Sequence, residues 1–216
     1  LVRETLVMSD IRKSLVLHGG LIALLLLLGF VLPAYHHGNL ARVMVLAVYA
    51  MGYNVLFGYT GLLSLGHAMF FAAGMYGMGL TIQHLGFSAE AALLSGVVAA
   101  FLLSTVVGLL ALRTTGVAFM IVTLMFAQTG YLVVLYFGEW TRGDEGFVIQ
   151  KASRVIAGID VSDPANRYLT ALALFAVCLW IILKLVQAPF GKVLIAIREN
   201  EDRARMLGYD IFRHKL

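Results

Sequence analysis

Residues 43–89 read VMVLAVYAMGYNVLFGYTGLLSLGHAMFFAAGMYGMGLTIQHLGFSA and contain no Asp, Glu, Lys or Arg. A membrane-spanning helix needs about 20 apolar residues, so this stretch is too long for one span and has the length of two. The sequence GYTG at 58–61 divides it, because two glycines flank a polar pair and glycine favours turns and unwound backbone. We therefore predict spans near residues 43–57 and 62–85, with a re-entrant turn at the same glycines as the alternative.

The composition of the whole chain is that of an integral membrane protein. Hydrophobic residues make up 61% of the 216 residues and charged residues 13%, and the mean hydropathy is +0.89. Soluble proteins are about 25% charged. Further apolar stretches predict four more spans, at residues 15–32, 91–112, 117–137 and 168–186. The first is longer than the apolar core of a signal peptide, so we predict that it is retained. The predicted fold class is all-α, a polytopic transmembrane helix bundle of about six spans.

The distribution of charge predicts the orientation of this bundle. Six spans place both ends of the chain on one side, and with cytoplasmic ends that side carries eleven basic residues against five on the other. The positive-inside rule therefore predicts a cytoplasmic N-terminal tail at 1–14, a transmembrane region at 15–189 and an extracytoplasmic loop at 139–167. The basic residues do not gather on a face interleaved with aromatic residues, so no nucleic-acid partner is predicted.

Two shorter connections are also predicted. Residues 113–116, RTTG, predict a tight turn between antiparallel neighbouring spans. Residues 33–42 predict a short polar loop that contains His36 and His37. Adjacent histidines rarely bind one ion and no Cys, Asp or Glu lies beside them, so no metal site is predicted. Cys178 lies within an apolar stretch and is predicted to be a small buried hydrophobic residue.

Charge returns in residues 190–209, FGKVLIAIRENEDRARMLGY. The apolar residues here follow helical spacing, which predicts a cytoplasmic amphipathic helix interrupted only at Asn200. We interpret that interruption as the place where one helix hands over to the next. Two pairs have the i,i+4 spacing of ion pairs: Glu199 with Arg203, and Glu201 with Arg205. Gly208 stands where a left-handed cap would end the helix. Residues 210–216 begin a further segment, and we expect a chain truncated at its C-terminus.

Neutral polar residues within the spans are the candidates for a translocation path, because a polar group in hydrocarbon must face a partner helix or water. They are Asn54, Ser64, His67, Thr123, Gln128 and Thr129. Hydrogen bonding between helices is the alternative for each of them. No Asp or Glu lies within a predicted span, which favours an uncharged or zwitterionic solute. Gly66, Gly74, Gly77 and Gly79 are best explained by close packing of helices.

The chain lacks the motifs that would make it an enzyme. It has no GxxxxGK[ST] phosphate loop, so it does not hydrolyse ATP through that motif. It has no HExxH, GxSxG or paired-cysteine site either. We therefore predict a transport subunit without a catalytic residue, metal or cofactor of its own.

Four stretches resemble one known family, the permease subunits of ABC importers for branched-chain amino acids, particularly the M-type subunit. They are NVLFGYTGLLSLGHAMFFAAGMYG at 54–77, LRTTGVAFMIVTLMFAQ at 112–128, TRGDEGF at 141–147 and FGKVLIAIRENEDRARMLGYDIFRHKL at 190–216. The resemblance implies a cytoplasmic coupling helix that docks on a separate ATPase subunit, which binds the ATP. Asp202, Arg203 and Ala204, followed after three residues by Gly208, are similar to the EAA-three-residues-Gly pattern of importer permeases, with Asp for Glu and Arg for Ala.

The resemblance implies the partners and the roles of several residues. The partners would be ATP-binding cassette subunits, a second permease subunit and a periplasmic substrate-binding protein, at the bacterial inner membrane. ATPase coupling would fall to Glu199, Asp202, Arg203, Ala204 and Gly208. The extracytoplasmic loop would contact the binding protein at Gly143, Asp144, Glu145 and Gly146, although these residues also read as a simple glycine-flanked turn. The alternatives are a permease for urea or short amides, a secondary transporter or channel that works without ATP, and a scaffold or intramembrane enzyme.

Overall fold

The computed structural model describes residues 2–149 and 154–216, with side chains described from residue 16 onward. The chain is a polytopic, almost entirely α-helical membrane protein, as its composition predicts. Its elements are α1 (Val2–Val31), α2 (Ala34–Asn54), a π-helix (Val55–Tyr59), α3 (Ala68–Leu85), α4 (Ala89–Ala111), α5 (Gly116–Tyr136), α6 (Gly138–Thr141), a 3-10 helix (Gly143–Glu145), β1 (Val155–Ile156), β2 (Ile159–Asp160), α7 (Pro164–Gln187), α8 (Pro189–Glu199), α9 (Glu201–Met206) and α10 (Ile211–Lys215).

Four helical stretches of the described residues are long and apolar enough to cross a membrane: Ala34–Tyr59, Ala89–Ala111, Gly116–Tyr136 and Pro164–Gln187. Each coincides with a predicted span. The other two predicted spans fall on α1 and α3, so the helices follow the six-span pattern while the number that crosses the membrane stays a prediction. α1 begins at Val2, so helix continues through the predicted tail at 1–14, whose side chains lie outside the described part.

The connection between α1 and α2 is shorter than predicted. α2 begins at Ala34, so the predicted loop at residues 33–42 is wrong and both of its histidines lie in a helix. His37 is only 7% exposed, and its ring centroid lies 5.2 Å from that of Tyr168. Burial against another helix outweighs the polar character of the stretch, because tertiary packing routinely overrides weak local preferences.

α7 also begins earlier than predicted, at Pro164 rather than near Tyr168. The carboxylate of Asp163 accepts the backbone N–H of Asn166 at 3.1 Å, which is the bond that a helix-capping residue makes. Proline suits the first turn of a helix, since the N–H that it lacks would have no partner there. A polar first turn is therefore added to the apolar span.

The break predicted within residues 43–89 is present. The π-helix ends at Tyr59, and residues 61–67, which we call the helix break, lie outside any helix. α3 therefore begins six residues later than the predicted start at residue 62. Gly61 has a φ of +74°, which places the chain in the left-handed region that favours glycine. The ring of Tyr53 lies 5.2 Å from that of His67, and Tyr49 lies 5.7 Å from Phe71, so α3 runs back along α2.

Small residues bring α3 and α4 into close contact. A Cβ added at Gly77 would lie 2.7 Å from the Cβ of Ala99, and one added at Gly96 would lie 2.6 Å from the carbonyl oxygen of Gly74. The hydroxyls of Thr81 and Ser95 lie 2.9 Å apart across the same interface. The prediction that glycines of α3 serve close packing of helices is confirmed for Gly74 and Gly77, and helices in lipid associate mainly through such contacts.

The chain divides into two compact units, residues 1–48 with 160–180 and residues 49–159 with 181–216. In the first unit, the hydroxyl of Tyr168 donates to the carbonyl of Leu25, and a Cβ at Gly29 would lie 2.6 Å from the Tyr168 ring. The second unit has an apolar core that includes Leu62, Val107, Ala111 and Phe119. Since Leu62 comes from the helix break and the others from α4 and α5, this core fixes the break against both helices.

The long polar segment before α7 folds over one end of the second unit. Phe147 packs onto α3, where a Cβ at Gly79 would lie 2.6 Å from its ring. The carbonyl of Trp140 accepts a hydrogen bond from His84 at 3.0 Å. Strands β1 and β2 pair as a hairpin, and the N–H of Ala157 in its turn donates to Glu90 at 2.7 Å. Residues 150–153 of this segment lie outside the described part.

Candidate functional site

A hydrogen bond joins the helix break to α5. The backbone N–H of Leu65 donates to the hydroxyl of Thr123 at 3.2 Å, and that hydroxyl donates to the carbonyl of Met120 at 2.9 Å. Gly66 approaches so closely that an added Cβ would overlap the carbonyl oxygen of Thr123. Only a residue without a side chain fits between the two segments, which is why a glycine follows Leu65.

A cavity of about 180 Å³ lies beside this contact. Three of the predicted path residues line it: Ser64 and His67 from the helix break and Thr123 from α5. The other lining residues are mainly apolar and come from the π-helix, α3, α4 and the residue after it, α5, and the end of α10 with the residue after it. They are Leu56, Phe70, Ser104, Val107, Gly108, Ala111, Leu112, Phe119, Lys215 and Leu216. The cavity thus combines a few neutral polar groups with an apolar wall, which is the usual character of a small-molecule site.

Two residues that line this cavity each have a buried polar atom without a hydrogen-bond partner. Ser64 Oγ and His67 Nδ1 are buried and have no hydrogen-bond partner in the part of the chain that the structure describes. A buried polar atom without a partner costs roughly 1–3 kcal/mol, so such atoms are uncommon and call for an explanation.

Aromatic rings surround His67 on three sides. Its ring centroid lies 5.2 Å from that of Tyr53, 5.4 Å from Tyr49 and 5.6 Å from Phe70. These contacts hold the imidazole at the rim of the cavity, between the end of α2 and the start of α3.

The remaining predicted path residues lie elsewhere. Asn54, Gln128 and Thr129 are exposed and do not line the cavity. The Thr129 hydroxyl donates back to the carbonyl of Met125 at 2.9 Å, a bond within its own helix. The six predicted residues therefore fall into two groups, three that line the cavity and three that are exposed. A role of the exposed three in the translocation path stays a prediction.

Sequence reasoning missed two polar residues of the cavity, Ser104 and Lys215. The Ser104 hydroxyl donates to the carbonyl of Phe101 at 2.9 Å. The ammonium group of Lys215 donates to the carboxylate of Glu201, and the lysine side chain is only 7% exposed. A hydroxyl within a span could have indicated Ser104, whereas Lys215 lies in the short segment after Gly208, where no periodic pattern could develop.

The predicted amphipathic helix at 190–209 is two helices. Asn200 has extended backbone (φ −162°, ψ 106°) between α8 and α9, so the handover predicted there is confirmed. Its side-chain oxygen accepts the N–H of Arg203 at 2.9 Å and caps α9. Ile197, Ala204 and Ile211 form a buried cluster that holds α8, α9 and α10 together.

Both ion pairs predicted for this segment are wrong. Glu199 pairs with Arg198 at 2.6 Å, Arg205 pairs with Asp202 at 3.1 Å, and Glu201 pairs with Lys215. The i,i+4 spacing brings side chains together only on a continuous helix. Asn200 interrupts the helix between Glu199 and Arg203, and α10 brings a lysine to Glu201.

Gly208 ends α9 as predicted. Its φ is +87°. The N–H of Tyr209 donates to the carbonyl of Ala204 at 3.2 Å, and the N–H of Gly208 donates to that of Arg205 at 3.0 Å, which is the Schellman arrangement. Met206 is 86% exposed beside this cap. The end of α9 therefore presents an apolar residue among exposed charges.

The TRGDEG stretch forms a tight turn. Gly143 and Gly146 have positive φ values of 51° and 69° around a 3-10 helix that includes Asp144 and Glu145. The hydroxyl of Tyr131 donates to the Asp144 carboxylate at 3.1 Å. The turn is thus anchored to the end of α5, and Glu145 stays exposed.

These features define a multi-pass membrane protein with a small, partly polar cavity and a capped helical segment after its last long helix. Residues 37–216 match the family described as the permease component of the branched-chain amino acid transport system, and the chain belongs to that family. It is 32% identical over 200 residues to the high-affinity branched-chain amino acid transport system permease proteins LivM of Salmonella typhimurium strain LT2 and Escherichia coli strain K12. Each alignment covers 80% of this chain and 46% of the relative. The chain thus spans about half the length of these relatives. No solved structure matches it.

Proposed function

We propose that the chain is a membrane-spanning permease subunit of an ATP-driven importer and forms part of the translocation path for branched-chain amino acids. The observation that carries the proposal is the cavity lined by Ser64, His67 and Thr123 within an apolar wall. A branched aliphatic side chain requires an apolar surface, and the polar atoms of the solute require a few fixed partners. The LivM relatives are named for transport of such amino acids.

The proposed orientation places the cavity at the cytoplasmic end. Charge counting predicts that residues 58–61, 113–116 and the segment after residue 189 share the cytoplasmic side. Contacts within the second unit support this grouping, because Gly108 lies near Leu216 and Gly58 contacts Arg198. The opposite ends of α3 and α4 contact the predicted extracytoplasmic loop. Both ends of the chain are then cytoplasmic, at the bacterial inner membrane.

The proposed partners follow from membership of a transport-system permease family. Separate ATP-binding cassette subunits would bind and hydrolyse the ATP and would dock on α9 around Asp202, Arg203, Ala204 and Gly208, with Glu199 at the end of α8. Exposed Met206 and Leu207 offer an apolar contact there. A second permease subunit would complete the path. A periplasmic binding protein would deliver the solute to the turn that includes Asp144 and Glu145.

The test is uptake by the full-length permease, co-expressed with its proposed ATPase and second permease subunits and reconstituted in proteoliposomes. We expect the ATPase to co-purify, and labelled leucine to accumulate with ATP and the binding protein but not with ADP. Uptake of urea instead of leucine would show that the protein is a permease for urea or short amides, the alternative named above. Leucine uptake that does not depend on ATP would contradict the proposal and indicate a secondary transporter or channel.

A further inference from the structure

A single arginine connects the C-terminal helices to the segment that lines the cavity. Arg198, on the last turn of α8, donates from Nη1 to the carbonyl oxygen of Gly58 at 2.5 Å. Its other terminal nitrogen donates to Glu199 at 2.6 Å. Gly58 lies in the π-helix, three residues before the helix break begins at Gly61. Arg198 therefore bonds to the backbone just where the long helix ends.

The carbonyl that Arg198 binds is one of those that a helix end leaves without an intrahelical partner. The N–H of Leu62 donates to the carbonyl of Leu56, and the N–H of Gly61 donates to the carbonyl of Phe57, both at 3.1 Å. The next carbonyl, that of Gly58, goes to the guanidinium. A cation is also favoured at this position because the C-terminal end of a helix carries partial negative charge.

The stem of Arg198 makes a second contact, with Gly61. A Cβ added at Gly61 would lie 2.9 Å from Cγ of Arg198 and 3.8 Å from its Cα. The backbone of the helix break thus passes directly over α8, and the positive φ of Gly61 turns it toward Ser64. Arg198 holds the break from both sides of the turn, by a hydrogen bond at Gly58 and by packing at Gly61.

The other side of α8 is fixed to α9. Ile197, the neighbour of Arg198, is fully buried in the cluster with Ala204 and Ile211. A displacement of α9 would therefore move α8, and Arg198 would carry that movement to the helix break. Ser64 and His67, which line the cavity, lie three and six residues beyond Gly61.

We propose that Arg198 is the positioning residue that couples the C-terminal helices to the helix break. This inference rests on the proposed function, in which α9 docks on an ATPase subunit. It adds a residue that acts through the backbone of residues 58–61. Arginine suits the role because its planar fork binds Gly58 and Glu199 at once, which a lysine ammonium cannot do in the same geometry.

The first test measures movement of the helix break. Ser64→Cys is introduced into the full-length permease with Cys178→Ser, assembled with its ATPase subunits in lipid nanodiscs. A small methanethiosulfonate reagent then reports the reactivity of residue 64 with and without ATP and vanadate. We expect nucleotide to change the rate about fivefold or more, since allosteric coupling free energies are typically 1–3 kcal/mol. Arg198→Ala and Arg198→Gln should abolish most of that change, and Arg198→Lys should restore part of it.

The matched control is Lys192→Ala, which removes an exposed cation from the same helix. It should keep the nucleotide response of the parent. A response in Arg198→Ala and Arg198→Gln equal to that of the parent would overturn the proposal. So would a parent protein that transports leucine with ATP but shows no nucleotide response at residue 64.

A second readout separates this inference from the proposed function. If the permease with Ser64 and Arg198 intact shows no ATP-driven uptake, the proposed function fails, and the bond between Arg198 and Gly58 is then tested by the rates measured without nucleotide. Arg198→Ala should then raise the reactivity of residue 64 about fivefold, because the charge-assisted hydrogen bond to Gly58 is lost and solvent screening keeps its contribution modest. If residue 64 reacts equally fast in Arg198→Ala and Lys192→Ala without nucleotide, the contacts of Arg198 do not hold the helix break, and the inference is overturned. Where uptake is ATP-driven, Arg198→Ala should lower leucine transported per ATP hydrolysed about tenfold while the ATPase stays bound.

Discussion

Thr123→Val tests how the helix break is held against α5. Valine keeps the branched shape of threonine but removes the oxygen that accepts the N–H of Leu65 and donates to the carbonyl of Met120. Thr123 is 3% exposed, so water cannot replace the lost oxygen without reorganisation. The substitution therefore removes one bond between segments and leaves the amide of Leu65 without its partner.

The expected cost is about 1 kcal/mol. A typical intramolecular hydrogen bond contributes about 0.5–1.5 kcal/mol, and hydrogen bonds between helices in membranes average about 0.6 kcal/mol. An amide left partly unsatisfied adds to that loss. A loss of 1 kcal/mol lowers the melting temperature by about 2–4 °C in a protein of 150–250 residues, and by less in a longer one.

The assay is the fraction of full-length protein that remains in the monodisperse peak of a size-exclusion column after heating. Thr129→Val is the matched control, because Thr129 lies on the same helix, is exposed, and bonds only to the carbonyl of Met125. It should change the melting temperature by less than about 1 °C, as exposed substitutions change stability little. Equal melting temperatures for the two variants would refute the view that Thr123 holds the break.

Three further substitutions test other parts of the structure. Gly79→Leu should displace Phe147 and raise tryptic cleavage within residues 139–167 at least about fivefold, because overpacking costs about 1–3 kcal/mol and cleavage follows the open population. Gly208→Leu should reduce recovery of the ATPase with the permease about tenfold, since a left-handed φ costs a side chain about 1–2 kcal/mol and the cap of α9 is lost. Asn200→Ala should speed amide exchange in residues 201–206 about fivefold, because the loss of a helix cap costs about 1 kcal/mol.

Each of these variants has a control in the same chain. Gly52→Leu adds a side chain where an added Cβ meets nothing within 4 Å, so cleavage of the loop should not change. Gly208→Asn should keep most of the ATPase, because asparagine tolerates the left-handed region. Asn200→Asp should keep slow exchange, because aspartate also caps. If a variant and its control behave alike, the corresponding contact does not have the role described.

The features that the sequence predicts well are those that local chemistry decides. The helix break begins at Gly61 because glycine has the conformational freedom that the turn requires, and α9 ends before Gly208 for the same reason. The interruption of the apolar pattern at Asn200 also marks a true helix boundary. In each case one residue type has a strong preference that no distant contact needs to supply.

The features that the sequence predicts poorly depend on contacts between distant residues. Nothing local indicates that His37 is buried against Tyr168, so its stretch resembles a loop. Spacing alone pairs Glu201 with Arg205, yet α10 folds back and brings Lys215 closer. The cavity was predicted only in part for the same reason. Polarity selects Ser64, His67 and Thr123 together with Gln128, and only the fold distinguishes those that meet from the one that stays exposed.

The bond between Tyr168 and Leu25 has a consequence for how the chain is made. The two residues are separated by 143 positions in sequence. During synthesis, α1 leaves the ribosome long before α7 exists, so its carbonyl and the surface at Gly29 stay without their partner through most of translation. The exposed leucines of α1, such as Leu24 and Leu27, form an apolar surface that suits contact with lipid during that time. The first unit can therefore be completed only after α7 has been made, and a ribosome stalled before residue 168 leaves α1 without this partner.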